Sequence, residues 1–428
     1  MKQENAVTFG DLGVSVDLLK ILESQNIIYP TPIQERCIAF GLEGKDILGI
    51  AQTGTGKTLA FGLPAIEQVR KKKGKCVIML PTRELAIQVN EVLSNLGRPF
   101  GIRTALLIGG VSSFPQKKSL QRNPDIIIAT PGRMIDHLHR NNCDVTRVSL
   151  VVLDEADRML DIGFMPQIRA ILSLMPQKKQ TMLFSATMPN EIASLTKEYM
   201  TEPKKIQVAP SGTSAQNIKQ EAYIVSQNRK QSYLEKILKE NEGSVLVFTR
   251  TKFKAKKVAL TLRDNRFSAI EMHSNRSLAQ RKKALDGFKS GQYRILVATD
   301  VAARGIDVND ISLVVNFDLP ESAEDYVHRI GRTGRAGKSG KAMAFVEPDQ
   351  KYKLTAIENL IKKPIKLVKS GEEFSNLRSN NKSQNSFSSK RRTGRPQWKK
   401  SNYSSSRSSG YGGYGRQAKA SSGQRKKW

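Results

Sequence analysis

Eight residues, Ala51-Gln52-Thr53-Gly54-Thr55-Gly56-Lys57-Thr58, join one short apolar run, Ile47 to Ile50, to another, Leu59 to Ile66. A loop where a strand hands over to a helix is the setting in which backbone N–H groups cradle a phosphate. Gly54 and Gly56 can take angles closed to other residues, so successive N–H groups turn inward. Lys57 then brings a point charge to the terminal phosphates, and the Thr58 hydroxyl is placed for Mg²⁺. Ala51 stands where the strict pattern has glycine. A second constellation, Asp154 and Glu155, ends the run Leu150 to Leu153. A carboxylate there reaches Mg²⁺ beside a phosphate loop, and its neighbour can polarise a water for in-line attack on a γ-phosphate. An isolated Asp-Glu-Ala-Asp would also serve as a helix N-cap with acids in the first turn. Lys57 and Thr58 favour phosphate chemistry.

These residues need a scaffold that brings them to one edge. Apolar runs recur at Cys76 to Leu80, Ile126 to Ala129, Leu150 to Leu153, Thr181 to Phe184 and Val245 to Phe248, then at Ser268 to Met272, Ile295 to Ala298, Leu313 to Phe317 and Ala342 to Val346. They are short and do not alternate, as strands covered on both faces must be, and helix-length segments separate them. Parallel sheets in two α/β domains follow. Pro203-Lys204-Lys205 and Pro210 to Ser214 form a turn-rich stretch that reads as a linker. Polar signatures fall just after the strands: Pro81-Thr82-Arg83-Glu84-Leu85, Thr130-Pro131-Gly132-Arg133, Asp154-Glu155-Ala156-Asp157 and Ser185-Ala186-Thr187. The carboxyl ends of an open parallel sheet line one crevice, so these groups should converge there.

The chain has 428 residues, 39% apolar and 25% charged, which suits two domains with something added. No run approaches a membrane span, and Met1 to Gly10 lacks the apolar core of a signal peptide, so a cytoplasmic location is expected. Cys37, Cys76 and Cys143 read as reduced packing residues rather than a disulfide framework. His137 and His139 lie near Cys143, but positions i and i+2 of a helix do not share a face, which argues against zinc. His273 belongs to the turn after its strand. The formal net charge of +31 calls for a polyanionic partner. From Asn376 to Trp428 there are fourteen Lys or Arg and no Asp or Glu, leaving 56 against 39 elsewhere. This Ser-, Asn- and Gly-rich tail cannot bury a core, and it interleaves Trp398, Tyr403, Tyr411, Tyr414 and Trp428 with its cations. Such a mixture can stack on bases while following phosphates.

With these residues in register, the chain resembles the DEAD-box RNA helicases, and among them the bacterial RhlE-type branch, over about residues 7 to 365. Pro30-Thr31-Pro32-Ile33-Gln34 looks like the adenine-reading Q motif, with Phe9 at the upstream spacing, and Gly109-Gly110 matches the GG turn. Val247 to Arg250, Ala298 to Asp307 and His328 to Arg335 match the motifs of the second domain. The resemblance implies two tandem RecA-like domains with parallel sheets and a disordered basic C-terminal tail. The expected bounds are 1–205 for the ATP-binding domain with its Q motif, 206–218 for the linker, 219–365 for the second domain and 366–428 for the tail, disordered from about 376.

It also implies roles. Phe9, Gln34, residues Ala51 to Thr58 (with Thr53 and Thr55), Gly305 and Asp307 would bind ATP, the Gln34 amide pairing with the adenine edge and Asp307 approaching the ribose. Arg332 and Arg335 would be arginine fingers beside the catalytic Lys57, Asp154 and Glu155. Asp157, Ser185, Thr187 and His328 would couple hydrolysis to RNA. Arg83, Gly110, Thr130, Arg133, Arg250 and Thr299 would hold RNA without reading sequence. Thr58 and Asp154 would hold Mg²⁺, partly through water. Two departures stand out: Asn26-Ile27 replaces a glycine followed by an aromatic, putting an aliphatic at the adenine, and Leu278 replaces the Gln of the Gln-x-x-Arg motif ending at Arg281.

The activity so implied is RNA-stimulated hydrolysis of ATP to ADP and phosphate, unwinding short duplexes or remodelling RNA–protein complexes. Ribosome assembly, mRNA decay and cold adaptation are compatible settings, with ribosomal precursors or RNA-decay complexes as partners and no membrane. An RNA-binding scaffold or annealing chaperone with a vestigial ATPase is the alternative, and a DNA-translocating P-loop ATPase a third reading. Intact Lys57, Thr58, Asp154, Glu155, Arg332 and Arg335 argue against the scaffold.

Overall fold

A computed structural model describes residues 7–52, 54–71, 74–208, 218–303, 311–334 and 339–368. All belong to one compact unit, Met1–Gly371. The tail, the middle of the expected linker, and the candidate residues Thr53, Gly305, Asp307 and Arg335 lie outside the described residues.

The first sheet comprises β1 (Ile47–Ile50), β2 (Lys75–Met79), β3 (Thr104–Leu107), β4 (Ile126–Ala129), β5 (Val148–Leu153), β6 (Gln180–Ser185) and β7 (Lys204–Gln207). The second comprises β8 (Ile218–Ile224), β9 (Val245–Phe248), β10 (Ala269–Met272), β11 (Ile295–Ala298), β12 (Leu313–Asn316), β13 (Gly340–Val346) and β14 (Lys366–Val368). All pairings are parallel. The orders are β3-β4-β2-β5-β6-β1-β7 and β10-β11-β9-β12-β13-β8-β14. Counted from the first strand of each sheet, these are the same order, so each position in one domain has a counterpart in the other. Thr130 directly follows β4 as Thr299 directly follows β11, and Lys57 opens the helix after β1 as Lys230 opens the helix after β8.

Both faces of each sheet are covered, as parallel strands require. Ile78, Ile126, Leu150 and Val152 face one cluster of the first domain, while Val77, Ile127, Val151 and Leu153 face another. Leu246 and Leu296 of the second sheet likewise point away from Val245, Val247 and Ile295. The expected linker loses its ends to the sheets: Ile206 and Gln207 belong to β7, paired with β1, and Ile218 opens β8. The second sheet also runs past residue 365, because β14 pairs with β8. β7 and β14 are short, lysine-bearing and largely exposed edge strands, a character that keeps a sheet edge from pairing with other chains and hides it in the sequence. No helix among the described residues is long and apolar enough to cross a membrane.

Candidate functional site

The phosphate loop follows β1 and delivers Lys57 to the first position of the helix Lys57–Arg70, with Thr58 second. Gly54 and Gly56 both have positive φ, +82° and +91°. A Cβ on Gly56 would lie 2.5 Å from the Gln34 amide nitrogen and 2.9 Å from Thr31 Oγ1, so only glycine admits the Q motif here. Thr31 and Gln34 form a capping box at the start of the helix Pro32–Leu42. Gln34 Nε2 also donates to the Gly56 carbonyl at 2.9 Å, and Thr31 Oγ1 donates to the Thr55 carbonyl at 2.7 Å. Gln34 is thus bound to the phosphate loop itself, keeping one amide hydrogen and lone-pair capacity for a base edge. Thr55 Oγ1 closes the loop on the Gln52 carbonyl at 2.8 Å, and Ala51 N donates to the Ser185 carbonyl at 3.0 Å.

Phe9 does not line an open nucleotide face: it is 2% exposed, within the first core. Ile27 is half-buried against the same core, while Ile28 and Tyr29 are exposed. Asn26 has φ +58°, the left-handed conformation a glycine would supply and one that Asn tolerates.

Lys57 Nζ donates to the Ala51 carbonyl at 3.1 Å and lies 3.6 Å from Asp154 Oδ1. Burial pushes the Asp154 carboxyl up to about 6; Lys57 opposes that rise and Glu155 adds to it. Glu155 caps the helix Ala156–Asp161 from a left-handed conformation, φ +53°, which costs on the order of 1–3 kcal/mol in a residue with a Cβ. Its Oε2 is buried without a hydrogen-bond partner among the described residues. Asp157, 5% exposed, joins two signatures: its Oδ2 accepts from Ala186 N, Thr187 N and Thr187 Oγ1 at 3.1, 2.9 and 3.1 Å, while its own N–H donates to Ser185 Oγ at 3.2 Å.

The second domain meets this edge. His328 lines a pocket with Gln52, Ala186, Thr187 and Glu324. Arg332, 3% exposed, lines another with Arg158, Asp300, Asp325 and His328. Arg158 Nη1 pairs with Asp325 Oδ1 at 3.2 Å, tying the helix after Glu155 to the helix Ala323–Ile330. Arg329 is buried and holds both oxygens of Asp300 and the Asn316 side chain.

Farther along the same carboxyl edge, beyond the ends of β2, β4 and β3, a cleft is lined by Arg83, Thr130 and Arg133 from the first domain and by Ser274 and Arg281 from the second. Gly110 (φ +74°) abuts Arg83 so closely that a Cβ would lie 1.8 Å from its Nη1. Arg250 and Thr299 stand at the matching strand ends of the second sheet, outside this lining. Arg281 Nη1 lies 2.9 Å from Glu84 Oε1, an ion pair between the domains with both side chains under 10% exposed. Leu278, one turn away, is packed against the first domain's core, so its apolar side chain makes an interdomain contact. Sequence patterns did not single out Arg158, Asp325, Glu84 or Arg281 as a pair of ties; only the assembled domains bring them together.

The DEAD/DEAH box helicase family matches residues 31–195, and the helicase conserved C-terminal domain matches residues 229–337. The chain is 42% identical over 366 residues to the DEAD-box ATP-dependent RNA helicase CshA of Bacillus subtilis strain 168, covering 85% of this chain and 74% of that one. The chain belongs to the DEAD-box RNA helicases. It is therefore an ATP-hydrolysing enzyme. CshA of Bacillus cereus is 44% identical over 359 residues, covering 83% of this chain and 68% of that protein. Among solved structures, Saccharomyces cerevisiae Dbp5 bound to RNA and ADP BeF3 superposes with a TM-score of 0.77 at 30% identity, covering 85% of this helicase and 95% of Dbp5. Mss116p bound to ssRNA and AMP-PNP gives 0.78 at 28% identity, covering 86% and 80%.

Proposed function

We propose that this helicase hydrolyses ATP at the edge carrying Lys57, Asp154 and Glu155 when single-stranded RNA lies across both domains, and that closure separates short duplexes or remodels RNA–protein complexes. The observation that carries the reading is the double tie between domains: Arg158–Asp325 on the nucleotide side and Arg281–Glu84 on the cleft side. A strand held across two domains that close together cannot keep helical pairing along its length.

Lys57 would neutralise charge on the terminal phosphates, and Arg332 and Arg335 would add to it only when the domains are shut. Glu155 Oε2, buried and unengaged, is the base that would take the proton of the attacking water. Asp157 would pass the state of this edge to Ser185 and Thr187, against which His328 lies. Mg²⁺ suits the site, because Asp154 is a buried carboxylate that Lys57 does not fully compensate. Asp154 and the Thr58 hydroxyl would hold it, and it would supply charge neutralisation at the phosphate oxygens.

RNA would be held through phosphates and sugars by Arg83, Gly110, Thr130, Arg133, Arg250 and Thr299, with the fourteen cations of the tail adding salt-dependent affinity. The chain divides for this purpose into residues up to 208, a connection at 209–217, and a second domain from 218 to 368. The relatives matched are CshA proteins, a different branch from the RhlE type expected from the motifs. A cytoplasmic enzyme acting on ribosomal precursors or in RNA-decay complexes fits this chemistry.

ATP turnover with RNA and with DNA of the same sequence tests the reading. Stimulation by RNA alone is expected; equal stimulation by DNA favours a DNA translocase, and no turnover with either leaves an RNA-binding scaffold. Glu155→Gln should hold ATP and RNA while turnover stalls, whereas loss of ATP binding would assign Glu155 to the metal instead.

A further inference from the structure

The repeated strand order allows covered and uncovered helices to be compared. In the first domain, Thr82 caps the helix Arg83–Gly97 by accepting from Leu85 N, and the second residue of that helix, Glu84, is covered by Arg281. In the second domain Thr251 caps the matching helix, Lys252–Asp264, by accepting from Lys254 N. Its second residue is Phe253, 72% exposed. The helix that supplies Arg281, Leu278–Lys289, follows β10, and its counterpart after β3 is Ser113–Gln121. There the second residue is Phe114, 62% exposed. Two domains in tandem leave one copy of each contact surface uncovered, and each uncovered copy presents a ring.

The charge around the rings points to what covers them. Lys252 Nζ lies 5.4 Å from the Phe253 ring centroid, and Lys118 Nζ lies 4.8 Å from that of Phe114. Lys256 and Lys257 follow Phe253 with no acid before Asp264, Lys254 being paired with Asp318; Lys117, Lys118 and Arg122 follow Phe114 with no acid before Asp125. A second copy of the chain, bringing these two surfaces together, would set cation against cation. Each ring also continues an RNA contact: Phe253 lies three residues beyond Arg250 and Phe114 four beyond Gly110. Arg133 Nη2 donates to the Val111 carbonyl at 3.1 Å, which fixes the start of the Phe114 helix beside the cleft.

We propose that Phe114 and Phe253 are stacking platforms for unpaired bases of single-stranded RNA, one on each domain beside the residues that hold its phosphates. This rests on the RNA reading above. A ring accepts the face of any base, and lysines beside it follow the backbone, so the platforms extend the bound strand without adding sequence preference.

The test uses the full chain with Phe114→Ala, Phe253→Ala and both together. Two single-stranded RNAs are compared: one well beyond the cleft in length, and one trimmed to the shortest that still stimulates ATP turnover. Each substitution should raise the half-saturating concentration of the long strand at least about fivefold. The trimmed strand, the KM for ATP, turnover at saturation and the slope of log K against log salt should not change, because every charge remains. Strands carrying 4-thiouridine should crosslink on irradiation to peptides containing Phe114 and Phe253. Unchanged affinity of the double variant for the long strand overturns the proposal and leaves the rings as a protein-facing surface. Equal loss with both strands also overturns it, since that marks damage to the core cleft. A parent chain that no RNA stimulates overturns the RNA reading itself, together with the platforms.

Discussion

Lys57 and Lys230 occupy one position in two copies of the same topology, and Asp154 and Asp318 follow corresponding strands, β5 and β12. In the first domain the ammonium and carboxylate stand 3.6 Å apart, and the Asp154 carboxyl is pushed up to about 6 because burial outweighs Lys57. In the second, Lys230 Nζ lies 2.9 Å from Asp318 and 2.7 Å from Glu347, the residue just after β13. Lys254 adds a further contact to Asp318 at 2.8 Å. Burial raises the Asp318 carboxyl too, but Lys230, Lys254 and the Arg250 N–H outweigh it and hold the group below its ordinary value. The two loops differ accordingly: Gly54 and Gly56 shape the first, whereas Val225 to Arg229 contains no glycine. On the function proposed above, one scaffold would leave the lysine for a phosphate in the first domain, whereas in the second Asp318 and Glu347 hold it in an ionic lock. The lock in turn holds the Arg250 backbone N–H on Asp318 Oδ2 at 3.1 Å.

If the lock is structural, Lys230→Met should cost stability rather than chemistry. Breaking one partner out of a buried pair typically costs about 3–5 kcal/mol, and the lower end is expected because Lys254 remains on Asp318. The urea midpoint measures it, and an unaltered midpoint would dissolve the distinction between the two lysines. Because the Asp318 carboxyl is held below 3.8, its contribution is present above that pH and is lost as pH falls through its folded value. The stability difference between parent and Asp318→Asn should therefore stay constant from neutral pH to about 4 and shrink below it.

Lys57→Ala should do the opposite. Turnover should fall at least about 100-fold, the loss typical of removing one preorganised charge from a transition state. Stability should change little, because Asp154 can take a proton rather than remain an unpaired buried charge. RNA-stimulated turnover within about threefold of the parent would remove Lys57 from the phosphate site.

The gathering of the candidate nucleotide residues at one sheet edge was legible because they are contiguous: glycines, lysine and hydroxyl fall within eight residues, and each further signature directly follows an apolar strand. The lock was not, since Lys230, Asp318 and Glu347 are scattered and their loop lacks glycine; the shared strand order is the signal that identifies them. β3, β7, β8 and β14 escaped for a physical reason too. As edge or near-edge strands they carry polar residues and only partial burial. Gln34 was read toward the base from its motif, whereas its contacts to Thr31 and Gly56 need coordinates to be seen.

The ties between domains separate the two halves of the comparison further, since they belong to neither lysine. Glu84→Gln and Arg281→Met should each raise the RNA concentration for half-maximal turnover, and the double variant should be little worse than either alone. A coupling of about 1–2 kcal/mol is expected for neighbours in one buried pair. Additive effects would mean that the two side chains act independently on RNA.

The smallest effect belongs to the most exposed charge near the lock. Arg250 Nη2 pairs with Glu321 Oε1 at 2.7 Å, but the side chains are 61% and 60% exposed, so the pair adds little stability. Glu321 also takes Lys353 at 2.6 Å, which holds its carboxyl below the usual range. Asp318 fixes the Arg250 backbone regardless of where its side chain points, so the side chain is the part that can change partners. An RNA phosphate would compete with Glu321 for the guanidinium. Glu321→Gln should therefore leave the urea midpoint within about 0.5 kcal/mol of the parent and raise RNA affinity by about twofold, most visibly at low salt. A fall in affinity would reverse the assignment, making Glu321 the group that aims Arg250 at the strand.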